Sequence, residues 1–287
     1  MIQDTSLLAL QHTKQMEKDY FAEIAYSIHE SEIFRDDSTF RARIPQTQKV
    51  NFFTNQNKLI DIDSVESIFL PEIQDALAEN RRIAILNFAD FKNPGGLFLE
   101  GSTAQEESLC HCSFLYNVLE AFDKSYYAIN RKNTNSALYN NSAIYSAGVR
   151  FWNIKLGEEI TEQTPSALVD VITCAAPNKK SAQQYYNISS MQVVEILRDR
   201  IEFLKAICQI KKVDILIAGA WGTGVFGNNT RLVAQLFKNI FDTSTQYPHL
   251  IIHPVPQQLS STNYMAFRSI FSKIIKGTEN NKYQEWY

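Results

Sequence analysis

The residues best placed to do chemistry stand three in a row, Gln105-Glu106-Glu107, eight residues beyond the glycine pair Gly95-Gly96. Glycine lets backbone N–H groups close on a phosphate or a sugar with no Cβ in the way, and a carboxyl pair beside them can do acid/base work. A glutamate that acts as an acid near neutral pH needs its proton held by partial burial or by a like-charged neighbour, and the second carboxyl supplies such a neighbour. A second glycine loop, Gly219-Ala220-Trp221-Gly222-Thr223-Gly224-Val225-Phe226-Gly227-Asn228, carries no acid or base. Together with Gly101 the two loops hold seven of the chain's ten glycines. The first reads as a loop that cuts a ligand, the second as one that holds it.

Each loop follows an apolar run that reads as a buried strand. Strands are expected at residues 50–54, 83–88, 143–149, 168–174, 214–218 and 250–253, and helices near 65–79, 103–122, 191–209, 231–241 and 263–275. This α/β alternation predicts a mainly parallel sheet covered by helices on both faces. Residues 5–31 read as helical and the polar stretch up to 48 as a loop or irregular cover; residues 130–141 and 153–166 and the tail from 276 read as surface loops or frayed ends. No repeat and no break in composition marks a second domain.

The second loop therefore joins a strand to a helix at the carboxyl edge of the sheet, where backbone donors and a helix N-terminus hold phosphate well. Gly222, Gly224 and Gly227 also fit G-x-G-x-x-G, the dinucleotide fingerprint. That motif should open its fold, yet a single strand follows it here, ending at His253-Pro254 with no acid to grip a ribose. No Gly-Lys-Ser/Thr makes it a P-loop either. At the first loop, Thr103-Ala104-Gln105-Glu106 has the form of a capping box, which gives Glu106 a purely structural alternative. Glu107, about 100° further round the helix, has none.

The 28 basic and 31 acidic residues give a formal charge of −3, which leaves no electrostatic footprint for nonspecific nucleic-acid or membrane binding. An anionic ligand must be held locally. No apolar stretch approaches the ~20 residues needed to span a bilayer, and the first ten residues lack a signal-peptide pattern. The expected location is the cytoplasm, with delivery elsewhere as an effector left open. Cys110, Cys112, Cys174 and Cys208 are too few for a disulfide framework, which suits a reducing compartment. Cys110-His111-Cys112 falls in a helical pattern that points its members to different faces, so these read as packing residues rather than metal ligands. His253 reads as structural and Trp221 as a core anchor; Tyr126, Tyr127 and Tyr139 are the candidates for stacking on a base.

The two loops together resemble the microbial type of poly(ADP-ribose) glycohydrolase, a branch of the macrodomain superfamily marked by G-G-G, six to eight residues, then Q-E-E. Here Gly95-Gly96-Leu97, seven residues, then Gln105-Glu106-Glu107 matches that spacing. The likeness continues through Ser108-Leu109-Cys110, Tyr145-Ser146-Ala147-Gly148-Val149, Thr173-Cys174-Ala175-Ala176-Pro177-Asn178 and the second glycine loop, in the family's order. It implies a macrodomain-like α/β fold: an N-terminal helical extension over residues 1–48, a catalytic domain over 49–276 and a polar tail over 277–287. It implies cleavage of ribose–ribose O-glycosidic bonds in poly(ADP-ribose), or in an ADP-ribosylated macromolecule, with no metal or redox cofactor. Glu107 would be the catalytic carboxyl, Glu106 would bond the ribose hydroxyls, and Gln105 would help hold them. Asn87, Asn93, Gly95 and Gly96 would wrap the ribose; Gly222, Thr223, Gly224, Val225 and Phe226 would form the diphosphate loop, with Phe226 against the terminal ribose.

The chain departs from the family pattern where Leu97 replaces a third glycine, Asp90 stands where asparagine is more frequent, and Ala147 replaces a frequent proline. Leu97 would be strained at positive φ, and Asp90 would repel a pyrophosphate unless it points away. Two rival readings follow: an ADP-ribose-binding module with little turnover, or a hydrolase that removes single ADP-ribose units from a protein or nucleic acid.

Overall fold

The computed structural model describes residues 4–45, 56–242 and 247–271. In chain order the strands are β1 (Glu32–Arg35), β2 (Gln56–Ile60), β3 (Ile83–Phe88), β4 (Ser142–Trp152), β5 (Ser166–Cys174), β6 (Ile215–Ile217) and β7 (Leu250–Pro254). They form one sheet in the order β1-β4-β5-β3-β6-β7-β2. The run from β5 to β2 is parallel throughout, whereas β4 pairs antiparallel with both β5 and β1. The mainly parallel sheet expected from the sequence is present, with an antiparallel edge. Residues 50–54, expected as a strand, lie outside the described residues, as do the residues beyond 271.

Eleven α-helices flank the sheet among the described residues: α1 (Thr5–Asp19), α2 (Phe21–Glu30), α3 (Ser38–Arg43), α4 (Pro71–Ala78), α5 (Gln105–His111), α6 (Leu115–Glu120), α7 (Ala128–Lys132), α8 (Lys179–Tyr186), α9 (Ser190–Lys211), α10 (Thr230–Phe241) and α11 (Ser261–Phe271). Successive strand side chains point to opposite faces, so β3 sends Ile83 and Ile85 one way and Ala84 and Leu86 the other. The first pair meets Ala9, Ile24, Ile73, Leu109 and Val118 from α1, α2, α4, α5 and α6. The second meets Phe40, Leu204, Phe237 and Phe267 from α3, α9, α10 and α11. Helices cover both faces, as the Ile- and Val-rich strands require.

Several elements differ from the sequence reading. The polar stretch before residue 48 is not irregular: it holds β1 and α3, because Phe34 and Phe40 bury themselves against Phe203 of α9. The helix expected over 65–79 breaks before Pro71, where Leu70 is extended at ψ 141°. The helix expected over 103–122 is two helices, because the Ser113 hydroxyl accepts the Leu115 N–H at 3.0 Å and starts α6 afresh. Residues 130–141 are not a loose loop, since Asn130, Leu138 and Tyr139 are buried. The parallel strands end together at one edge of the sheet, and the loops that leave β3, β5, β6 and β7 meet there.

Candidate active site

Helix α5 starts from the far side of this edge and is tied to it by its first side chain. The Gln105 carbonyl oxygen accepts the Phe88 N–H at 2.8 Å, and its amide donates to Leu86 O at 3.0 Å and Ser64 Oγ at 3.3 Å. Ala104 is the N-cap and offers no side chain, so the capping box expected for Glu106 does not form. Glu106 turns instead toward the loop after β3. Its Oε2 accepts the Asp90 N–H at 2.6 Å and its Oε1 the Asn87 amide at 3.0 Å. Burial pushes the Glu106 carboxyl well above the usual carboxylate range, with the charges of Asp90 and Glu107 adding to the effect and those two hydrogen bonds opposing it. Glu107 is also buried, but the Leu97 N–H, at 2.9 Å from Oε1, is its one hydrogen bond among the described residues. Its Oε2 has no hydrogen-bond partner among the described residues, and the residue lines the cavity described below.

Gly96 fits between the two carboxyls. A Cβ there would lie 2.5 Å from Glu107 Oε1 and 3.0 Å from Glu106 Oε2, and its φ of +61° already favours glycine. Leu97 does not adopt positive φ, so the strain expected at this departure is absent; its side chain is 54% exposed at the cavity wall. Asp90 folds its own loop, with Oδ1 accepting from Lys92 N at 2.6 Å and from Asn93 N at 2.8 Å. This carboxylate bonds its own turn through Oδ1, while the residue still lines the cavity. Asn93 adds a side-chain bond to Asp90, Gly95 backs onto Tyr116 and Cys110, and Asn87 lies beneath Glu106. These three support the loop and do not line the cavity.

The loop after β6 is drawn tight against the end of β5. Gly222, at φ +72°, passes so close to Ala176 that a Cβ would lie 2.5 Å from it. The Asn228 amide donates to Pro177 O at 2.8 Å and to Gly222 O at 2.9 Å, closing the turn. Trp221 is fully buried and donates to Cys174 O at 3.0 Å, so it anchors the loop as expected. Gly224 faces open space, with no atom within 4 Å of a Cβ placed there. Thr223 Oγ1 accepts from the Asn263 amide at 3.1 Å, and Asn263 Oδ1 accepts from Thr230 Oγ1 at 2.7 Å, which pins the loop to both α10 and α11. Phe226 packs on Phe91, Tyr139 and Ala175.

Both loops line one cavity of about 1040 Å³. Gly96, Gln105, Glu106 and Glu107 face it from one side, and Gly222, Thr223, Gly224, Val225 and Phe226 from the other. Sequence reasoning missed a third wall, Val255 and Leu259 after β7 with Asn263 in the first turn of α11, and a fourth, residues 63–66 and 153–156. The rule that ligands sit at the carboxyl ends of parallel strands pointed to the third; nothing in the sequence pointed to the fourth. Of the three tyrosines considered for base stacking, Tyr126 and Tyr127 are fully buried and Tyr139 is 7% exposed under Phe91. His253 is buried among Phe237, Phe267 and Phe271, and burial pushes its imidazole down to about 3. Cys110 and Cys112 are buried thiols, and burial pushes Cys112 up to about 12. Among the described residues no three His, Cys, Asp or Glu side chains converge to hold a metal ion.

A family model described as the microbial-type PARG catalytic domain matches residues 8–153, just over half of the 287. Poly(ADP-ribose) glycohydrolase from Thermomonospora curvata shares the fold, with a TM-score of 0.79 and 23% identity over 93% of this chain and 99% of that one. The same enzyme bound to the inhibitor ADP-HPD gives a TM-score of 0.77 at 22% identity, covering 92% and 98%. Poly(ADP-ribose) glycohydrolase from Deinococcus radiodurans in complex with ADP-ribose is 27% identical, with a TM-score of 0.70 over 86% of this chain and 96% of that one. No curated protein matches the chain in sequence.

Proposed function

The chain belongs to the microbial-type poly(ADP-ribose) glycohydrolase family and is a glycosidase acting on ADP-ribose polymers, and from that premise we propose that Glu107 is its general acid and base. The observation that carries the assignment is the unequal bonding of the two carboxyls. Glu106 has both oxygens engaged, so it is braced to accept ribose hydroxyls without moving; Glu107 keeps one oxygen free at the cavity wall. In the proposed reaction the diphosphate lies along Gly222, Thr223 and Gly224, and the scissile ribose lies beside Gly96 and Leu97. Protonated Glu107 gives its proton to the departing ribose oxygen as the C–O bond breaks, leaving an oxocarbenium-like centre at the anomeric carbon. The resulting carboxylate takes a proton from an attacking water, which restores the acid and releases ADP-ribose.

The test is ADP-ribose release from poly(ADP-ribose) by the parent protein and by Glu107→Gln. Acid/base catalysis of this kind contributes about 10²–10⁴-fold, so the variant should lose that much turnover while still binding ADP-ribose in a calorimeter. Equal turnover in the two proteins would refute the assignment. Among the described residues no helix is long and apolar enough to cross a membrane. We propose a cytoplasmic location for the chain and its ADP-ribosylated partners, on the four free, buried cysteines that suit a reducing compartment.

A further inference from the structure

Among the described residues the positive-φ non-glycine residues cluster in 135–139, where Asn135, Ser136, Ala137 and Tyr139 have φ of +46°, +52°, +64° and +62°. Non-glycine residues hold such angles only where their surroundings over-determine them. Here the surroundings centre on Arg200 of α9, which is 1% exposed. Its guanidinium donates to Leu138 O at 3.2 Å, Asn141 Oδ1 at 2.5 Å and, at the end of β5, Ala175 O at 2.5 Å. Among the described residues no carboxylate accepts from it; its oxygen partners are two backbone carbonyls and an amide, with the Cys174 thiol beside it. The segment so fixed sets one buried side chain behind the cavity wall, against Phe226, which lines it. Tyr139 stacks on Phe91 at 4.3 Å and 14° and meets Phe226 at 6.0 Å. Phe91 follows Asp90, whose N–H holds Glu106, while Phe226 ends the loop assigned to the diphosphate.

We propose that Arg200 and Tyr139 are positioning residues that set the distance between the two halves of the site, the carboxyl loop and the diphosphate loop, so that one ligand can engage both. This rests on reading the two loops as opposite ends of one ADP-ribose site. The measurement compares parent, Arg200→Lys, Tyr139→Leu and Tyr139→Phe for calorimetric affinity toward ADP-ribose, for KM and kcat on poly(ADP-ribose), and for melting temperature. Tyr139→Leu keeps apolar bulk but loses the flat ring, so Kd and KM should rise about tenfold with kcat within about threefold, and Tyr139→Phe should restore both. Arg200→Lys cannot reproduce the fork and should follow Tyr139→Leu. A folded Tyr139→Leu with the parent's Kd and KM, or with kcat alone reduced, would overturn the proposal. A parent protein that does not bind ADP-ribose would instead overturn the reading of the loops.

Discussion

Both oxygens of Glu106 are engaged by the Asp90 N–H and the Asn87 amide, whereas a single backbone N–H reaches Glu107. Under the proposed mechanism two adjacent residues of the same type are thereby separated into a brace and a reagent. Gly96 leaves room for both carboxyls, because a Cβ there would press on Glu107 Oε1 and Glu106 Oε2. Gly96→Ala should therefore impose a left-handed penalty of about 1–2 kcal/mol and push Glu107 aside, lowering the melting temperature and reducing ADP-ribose release by about tenfold or more. Leu97→Gly should behave differently. Leu97 has no strain to relieve, so this variant should leave stability within about 1 kcal/mol of the parent, read by denaturant titration. That the two carboxyls and Gly96 would meet at one cavity was legible in the sequence from their spacing. The division of labour between them was not, since it depends on Asp90 and Asn87 reaching Glu106 across 16 and 19 residues of chain.

At the level of elements, the sequence pattern identified the strands that carry the site. Long apolar runs such as Ile83–Phe88 and Ser166–Cys174 announce themselves by periodicity. Elements whose cause is tertiary did not: β1 forms by pairing with β4, and α6 begins where Ser113 bonds back to Leu109 O and forward to Leu115 N. The wall contributed by α11 belongs to the same class. Asn263 bonds Thr223 on one side and Thr230 on the other, so it holds the loop after β6 to the helix that follows. Asn263→Ala removes both bonds, each worth about 1 kcal/mol. The expected result is a KM for poly(ADP-ribose) raised several-fold with kcat nearly unchanged, measured by steady-state kinetics.

For the whole molecule the buried imidazoles govern behaviour in acid. Burial pushes His253 down to about 3 and His111 to about 4, while both return to about 6.5 when the chain unfolds. Between these values the unfolded chain binds protons that the folded one does not, so stability present above pH 6.5 is lost as pH falls, by about 1.4 kcal/mol per pH unit for each histidine. Glu106 acts in the opposite sense: its raised carboxyl stabilises the fold below about 4.5 and loses that contribution as pH rises. Burial lowers His12 as well, so three histidines against one glutamate leave a net loss on acidification. His253→Phe should flatten the fall of melting temperature between pH 7 and 5, and an unchanged slope would assign the effect elsewhere. The sheet's order carries a further consequence. Among the described residues strand β2 pairs with β7 alone, so residues 56–60 wait for residues 250–254. At ordinary translation rates of ~5–20 residues per second that wait lasts roughly 10–40 s on the ribosome. An unpaired apolar strand would invite association with other nascent chains for all that time; Gln56-Asn57-Lys58, polar over three of β2's five residues, makes this one a poor template.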